Sequence, residues 1–149
     1  MKVVIQKCKN AKCIIDNKEY SSISNGLMVL VGFCENDDLK VIEYMAKKIV
    51  NLRIFEDSNN IMNKSILDFN DYEILSISQF TLYADTKKGN RPSYIKALNG
   101  SEAIKLYELF NKELNKYVKV KEGIFKSDMD ISFTNIGPTT IIIERDNND

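Results

Sequence analysis

The sequence predicts an α+β fold with a curved, mostly antiparallel sheet and two amphipathic helices. Many short segments carry the β-branched or alternating pattern of strands. Two longer segments repeat apolar residues at three- and four-residue spacing, which is the period of a half-buried helix. The length of 149 residues and the hydrophobic content of 44% suit one domain, residues 1–149, with its own core.

The first third of the chain predicts short strands joined by tight turns. Four segments are rich in β-branched or other apolar residues: 2–6, 11–15, 19–22 and 27–33. Asp16-Asn17-Lys18 and Asn25-Gly26 separate the later segments, and Asn, Asp and Gly accept the backbone conformations that turns require. The run 27–33 is apolar throughout, so we expect it to be covered on both faces.

Two helices and several further strands follow. Residues 38–52 have a helical apolar stripe, and Asp38 is a good capping residue at their start. The second helix begins at Ser101, with a buried stripe through Tyr107 and Leu114. The remaining strands are expected at residues 54–55, 72–79, 117–121, 129–134 and 140–144.

The composition excludes several kinds of site. The chain contains no histidine, which rules out Ser-His-Asp and Cys-His nucleophilic sites and His-ligated zinc. Basic and acidic residues number 21 each, so contact with nucleic acid must depend on a local patch. The three cysteines lack metal or redox spacing, which favours small buried thiols in a reducing compartment.

No apolar run approaches the roughly 20 residues that a membrane span needs. The first residues enter a strand pattern directly, without the pattern of a signal peptide. We therefore expect a cytoplasmic protein.

The apolar strand 72–79 ends in the polar stretch Ser78-Gln79-Phe80-Thr81. These side chains and the neighbouring backbone N–H groups could form an anion or oxyanion pocket. Ser and Thr also satisfy the backbone at ordinary strand ends, and the stretch taken alone favours that structural role.

A basic loop without helical or strand periodicity follows over residues 84–99. Lys87, Lys88 and Arg91 lie there near Tyr94, a combination that suits a phosphate backbone or a stacked terminal base. A solvated loop has a similar composition, but the position directly after the polar strand end makes a binding role competitive.

Near the C-terminus, Gly137-Pro138 interrupts a strand pattern. Proline cannot donate to a strand ladder and glycine weakens one, so a bulge or a sheet edge explains the dipeptide structurally. A tight turn that presents backbone carbonyls is the functional interpretation. Upstream, Phe125 and Met129 could form an apolar wall for a base, although a core role is more common for both residue types.

Together these stretches resemble the D-aminoacyl-tRNA deacylases. The resemblance is carried by Ser78-Gln79-Phe80-Thr81-Leu82-Tyr83-Ala84-Asp85, by Lys88-Gly89-Asn90-Arg91-Pro92-Ser93 and by Asn135-x-Gly137-Pro138-x-Thr140. Leu30-Val31-Gly32 and Lys48-Ile49-Val50-Asn51-Leu52-Arg53-Ile54-Phe55 also match, so the resemblance extends over residues 1 to about 144.

The resemblance implies a hydrolase that cleaves the ester between a D-amino acid and the 3′ end of tRNA, without metal or cofactor. It implies a homodimer with a β-barrel-like fold and the site at the subunit interface, and no membrane partner. In the family a cis Gly-Pro dipeptide reaches into the neighbouring subunit's site. Its carbonyls exclude the L side chain, so chiral proofreading acts by rejection.

The resemblance also implies roles for single residues. Ser78, Gln79 and Phe80 would orient the ester, and Thr81 would lie beside the scissile carbonyl. Because no base is near Thr81 in the sequence, we expect attack by water, assisted by the tRNA 2′-hydroxyl, rather than a Thr81 nucleophile. The other implied contacts are Gly137, Pro138 and Asn135 with the substrate, Phe125 and Met129 with the terminal adenosine, and Lys87, Lys88 and Arg91 with the acceptor stem.

Five positions depart from the family pattern. Ile136 and Thr139 flank the Gly-Pro dipeptide where the family usually has Asp and Val, and Lys126-Ser127 replaces Gly-Ala. Lys7 replaces an arginine that we expect to brace the Gly-Pro loop, and lysine cannot reproduce a bidentate guanidinium contact. Lys126 either adds a phosphate contact or crowds the pocket. Two alternatives remain. Editing of glycine mischarged on tRNA follows from the chirality argument, because glycine has no side chain to reject, and the departures around Phe125 and Gly137 leave open a non-catalytic nucleic-acid-binding homologue.

Overall fold

A computed structural model of the chain describes residues 1–149 and contains seven strands and two helices. The strands are β1 (Lys2–Ile15), β2 (Lys18–Gly32), β3 (Phe55–Glu56), β4 (Met62–Lys64), β5 (Glu73–Ser78), β6 (Lys119–Glu122) and β7 (Asp130–Glu144). The helices are α1 (Leu39–Asn51) and α2 (Gly100–Asn115), and short 3-10 turns occupy Ile66–Asp68 and Phe80–Tyr83. Neither helix combines the length and the apolarity that a membrane crossing requires.

Five strands form one mixed sheet in the order β6-β5-β2-β1-β7. β1 pairs antiparallel with β2 and β7, whereas β5 pairs parallel with β2 and β6. α1 connects β2 to β5 and α2 connects β5 to β6, and such helical crossovers return the chain in the same direction. The prediction of a mostly antiparallel, barrel-like sheet is therefore corrected to a mixed sheet that does not close.

β1 and β2 form one long hairpin rather than four short strands. Asp16 and Asn17 make its turn with φ of 51° and 63°, which confirms the turn predicted there. The predicted turn at Asn25-Gly26 is wrong, because β2 continues through it and Gly26 pairs with Glu73 of β5. A Cβ on Gly26 would collide with the main chain of Glu73, so glycine permits the close approach of these strands.

Both helices begin at capped ends and bury one stripe. The side chain of Asp38 caps α1 by accepting a 3.0 Å hydrogen bond from a first-turn N–H, and Asn99 caps α2 in the same way at 3.2 Å. α1 agrees with the prediction over residues 38–52, and α2 begins one residue before the predicted Ser101.

The main core lies between the sheet and the helices. It contains 21 buried residues, among them Ile74 of β5 and Phe110 of α2. A second cluster of 7 buried residues includes Leu75 and Ile77. Because successive strand residues point to opposite faces, this cluster lies on the face away from the helices. β5 is thus covered on both faces up to its end at Ser78.

Candidate active site at the end of β5

β5 carries the polar stretch to one end of the sheet. Ser78 is its last residue, and the main-chain N–H of Gln79 donates a 2.7 Å hydrogen bond to the carbonyl of Val31 on β2. The chain then forms the 3-10 turn Phe80–Tyr83, closed by a 3.2 Å bond from the N–H of Leu82 to the carbonyl of Gln79. Backbone hydrogen bonds therefore fix the polar stretch.

A cavity of about 710 Å³ opens beside this turn. Ser78, Gln79 and Phe80 line it together with Phe125 and Met129. The other walls come from the end of β2, the loop before α2, the first turns of α2 and the segment that leads into β7. Five of the predicted site residues thus meet in one place, although two of them lie more than forty positions further along the chain than the others.

Thr81 is not among the residues that line the cavity. Its hydroxyl oxygen accepts a hydrogen bond from the side-chain amide of Gln79. No carboxylate or amine is hydrogen-bonded to that hydroxyl, so the arrangement lacks the base that would activate a threonine nucleophile. Thr81 instead holds the Gln79 side chain in position at the cavity.

Two aromatic rings stand at the rim of the cavity. The ring centroids of Phe80 and Tyr94 lie 5.0 Å apart with an edge-to-face angle of 74°. Phe80 is 55% exposed, which is high for a phenylalanine. An exposed ring beside hydrogen-bond donors is suited to contact with a flat or apolar part of a ligand.

Tyr107 supports the cavity wall from α2. Its phenol donates a 2.7 Å hydrogen bond to the carbonyl of Ser76, which also accepts from the N–H of Gly123 at 3.2 Å. The Tyr107 ring centroid lies 6.0 Å from that of Phe125. Burial raises the pKa of Tyr107 to about 12, so the phenol stays protonated as a donor. The sequence placed Tyr107 only in the helix stripe, since nothing local indicates its contact with β5.

The start of β1 supports the 3-10 turn, a role that no sequence pattern indicated. The Met1 ammonium group lies 2.7 Å from a carboxylate oxygen of Asp37, and both groups are buried. The Lys2 ammonium group donates a 3.4 Å hydrogen bond to the carbonyl of Leu82 and lies 5.0 Å from the Tyr83 ring centroid. Burial raises the pKa of the Tyr83 phenol, so this last residue of the turn stays protonated and neutral.

The predicted basic residues lie on a separate loop. Main-chain hydrogen bonds of 2.8 and 2.9 Å join Asp85 to Ser93. Lys87, Lys88 and Arg91 lie between these two residues, are exposed and do not line the cavity. The Asp85 carboxylate accepts from the N–H of Lys87 at 3.0 Å, and this bond is the main reason that its pKa is lowered.

The Gly137-Pro138 dipeptide lies at the other side of the sheet. β7 is separated from β5 by β1 and β2, and its residues 136–139 oppose only Lys7 of β1, so they bulge from the ladder. The Gly137-Pro138 peptide bond is cis, and both residues are exposed and outside the cavity lining. Within one chain the two sequence motifs therefore do not meet.

Asn135 begins this bulge and forms a polar network with β1. Its amide group donates to the side-chain oxygen of Gln6 at 2.7 Å and to the hydroxyl of Thr140 at 3.2 Å. Its own oxygen is buried without a hydrogen-bond partner in the chain. Lys7 is 8% exposed, and its ammonium group lies 5.9 Å from the Phe55 ring centroid with no hydrogen bond to the dipeptide.

Sequence comparison identifies the relatives of the chain. The model of the family described as D-Tyr-tRNA(Tyr) deacylase matches residues 4–144. Proteins named D-aminoacyl-tRNA deacylase from Flavobacterium psychrophilum and Bacteroides fragilis are 50% and 51% identical over 149 residues, which cover 99% of this chain and 99% of each relative.

Two solved structures have a similar fold. The one described as c-Myc DNA Unwinding Element Binding Protein has a TM-score of 0.91 and 37% identity, covering 98% of this chain and 99% of that chain. The one described as a probable eukaryotic D-amino acid tRNA deacylase has a TM-score of 0.81 and 16% identity, covering 95% and 97%, and this likeness concerns the fold alone. The family predicted from the sequence is thus confirmed, and the chain belongs to the D-aminoacyl-tRNA deacylase family.

Proposed function

We propose that this protein hydrolyses the ester of D-aminoacyl-tRNA and releases the D-amino acid and free tRNA. The observation that carries the proposal is the cavity at the end of β5, where Ser78, Gln79 and Phe80 meet Phe125 and Met129 in a chain of this family. The protein acts in the cytoplasm, where aminoacyl-tRNA is used.

The chemistry suits polarisation of a carbonyl rather than covalent catalysis. The Gln79 amide and the Ser78 hydroxyl are donors at the cavity. The 3-10 turn that follows has no side-chain cap, and the first N–H groups of such a turn lack partners within it. Donors placed where negative charge develops stabilise the tetrahedral intermediate of ester hydrolysis. Water is the nucleophile, and the tRNA 2′-hydroxyl assists its attack.

The apolar residues of the cavity suit the end of the tRNA. Phe125 and Met129 contact the terminal adenosine, since their side chains line the cavity that also holds the ester donors. The exposed loop with Lys87, Lys88 and Arg91 contacts the acceptor stem, where each cation meets backbone phosphate.

The active form is a homodimer whose subunits complete each other's sites. Val4 lies opposite both Ile142 and Leu30, so three aliphatic side chains form a row across β7, β1 and β2. Val4 alternates with the core residues Val3 and Ile5, so the row faces away from the helices, and Ile142 is 67% exposed. A second copy covers this row.

The dimer brings the Gly-Pro dipeptide to the cavity. Gly137 and Pro138 of the partner subunit would face the amino acid and exclude an L side chain. Two observations support this arrangement: the dipeptide is exposed at a bulge outside its own cavity, and the buried oxygen of Asn135 has no partner within the chain. An unpaired buried oxygen is costly, and a donor from a second subunit would satisfy it.

The direct test is deacylation of matched D-Tyr-tRNA and L-Tyr-tRNA by the purified protein. We expect rapid release of D-tyrosine while L-Tyr-tRNA stays intact. Equal hydrolysis of the two substrates, or hydrolysis of neither, contradicts the proposal. Hydrolysis of neither together with tight tRNA binding would instead indicate a nucleic-acid-binding homologue.

Glycyl-tRNA is the informative third substrate. Glycine has no side chain for the dipeptide to exclude, so rejection of the L side chain predicts hydrolysis of glycyl-tRNA as a side activity. A rate on glycyl-tRNA well above that on D-Tyr-tRNA would assign the main role to editing of mischarged glycine.

A further inference from the structure

Lys126 is the only cationic side chain among the residues that line the cavity, and Asp128 is the only anionic one. The Lys126 ammonium group has no carboxylate within 4.0 Å, although six other ion pairs occur in the chain. An unpaired cation at a cavity wall is available to an anionic group of a ligand, because no internal partner neutralises it.

The backbone at Lys126 has the conformation of a glycine position. Its φ is 68°, in the left-handed region that favours glycine. The long side chain extends over the first residue of α2, where a Cβ on Gly100 would lie 2.7 Å from the Lys126 ammonium nitrogen. Because Gly100 has no side chain, the Lys126 amine can occupy this space at the cavity wall.

The position of Lys126 along the wall indicates which anion it meets. Lys126 directly follows Phe125, and both residues line the cavity beside Met129. An adenosine held by Phe125 and Met129 carries its phosphate on the 5′ side, at the far end of the ribose from the 3′ ester. The nearest negative charge of a bound tRNA end is therefore this phosphate.

We propose that Lys126 binds the phosphodiester that links the terminal adenosine of the tRNA to the preceding nucleotide. The proposal rests on the proposed function, because it takes its substrate from there. This role differs from the one proposed for Lys87, Lys88 and Arg91, which lie on an exposed loop outside the cavity. Lys126 positions the substrate and takes no part in bond cleavage.

The test compares wild type with Lys126→Gln on two substrates that share the ester. D-aminoacyl-tRNA contains the phosphodiester, and D-aminoacyl-adenosine with a free 5′-hydroxyl lacks it. We expect the KM for D-aminoacyl-tRNA to rise roughly fivefold with kcat unchanged, while kcat/KM for the adenosine ester stays the same. The dependence of log kcat/KM on log salt concentration should become shallower by about 0.7 for the tRNA substrate.

Two control variants complete the comparison. Lys126→Arg keeps the charge and should keep the wild-type KM. Lys40→Gln removes one exposed charge from α1, outside the cavity lining, and should leave the salt dependence of both substrates unchanged. Equal changes on both substrates, or an unchanged KM for tRNA in Lys126→Gln, overturn the proposal.

A binding measurement keeps this proposal separate from the proposed function. The probe is a cytidine-cytidine-adenosine trinucleotide without an amino acid, which contains the anionic phosphodiester but no aminoacyl ester. Weaker binding by Lys126→Gln than by wild type supports the phosphate contact even if wild type hydrolyses neither ester, an outcome that contradicts only the deacylase activity. Equal binding by the two proteins rejects the contact.

Discussion

The side-chain amide of Gln79 donates a hydrogen bond to the hydroxyl of Thr81, two residues further along the chain. The hydroxyl oxygen serves as an acceptor in this contact and has no base beside it. Gln79 lines the cavity and Thr81 does not, so Thr81 acts on the cavity only by holding the Gln79 side chain in position.

Thr81→Ala should therefore lower activity without abolishing it. Loss of one hydrogen bond frees the Gln79 amide, and we expect kcat/KM for D-Tyr-tRNA to fall about tenfold, which corresponds to roughly 1.4 kcal/mol. Thr81→Ser keeps the hydroxyl and should stay near wild type. Steady-state deacylation measures both variants. A trapped acyl ester on Thr81, detected by mass spectrometry, would contradict the role of water as nucleophile.

Gly32→Ala should impair the site more than it impairs the fold. A Cβ on Gly32 would lie 2.9 Å from the carbonyl oxygen of Gln79, so the end of β5 must shift. We expect deacylation to fall by at least about tenfold, since a displaced donor no longer meets the developing charge. The control is urea denaturation of the same variant, because an unchanged free energy of unfolding separates a displaced site from a destabilised fold. Equal activity of Gly32→Ala and wild type would show that the strand end tolerates the shift.

Tyr107→Phe should cost stability and leave the chemistry intact. The phenol donates to the carbonyl of Ser76, but the N–H of Gly123 also donates to that carbonyl, so the oxygen stays paired in the variant. We expect the free energy of unfolding to fall by about 1 kcal/mol, measured by urea denaturation. Activity on D-Tyr-tRNA should change little, because Tyr107 does not line the cavity. A large loss of activity at unchanged stability would instead place the phenol in the reaction.

Ile142→Asp tests the proposed dimer. A carboxylate in the aliphatic row with Val4 and Leu30 would be desolvated at the interface, so we expect a monomer by sedimentation together with loss of chiral deacylation. Ile61→Asp is the matched control, since Ile61 is 60% exposed on the connection between β3 and β4. If Ile142→Asp is monomeric and fully active, the site is complete within one chain.

Local patterns predicted the elements that depend on local interactions. The apolar stripe of residues 38–52 and the capping residue Asp38 indicated α1, which spans Leu39–Asn51. The apolar run 72–79 indicated β5, which spans Glu73–Ser78. These signals depend on contacts between residues a few positions apart, which is why their boundaries agree within one or two residues.

Local sequence patterns did not predict the direction of the strands. The helices α1 and α2 act as crossovers, so β5 and β6 run parallel to β2, where antiparallel pairing had been expected. The turn expected at Asn25-Gly26 failed for a related reason. Gly26 serves the close approach of β5, which arrives from more than forty residues away.

The sequence by itself determined which chemistry is available. It contains no histidine, it places Ser78, Gln79 and Phe80 at a strand end, and its motifs identified the family. Only the tertiary structure decided how these parts meet. It joins Ser78 to Phe125 in one cavity and leaves Gly137-Pro138 at the far side of the sheet. The physical reason is that side-chain chemistry and short-range periodicity are local properties, whereas the distance between remote residues follows from strand order and packing.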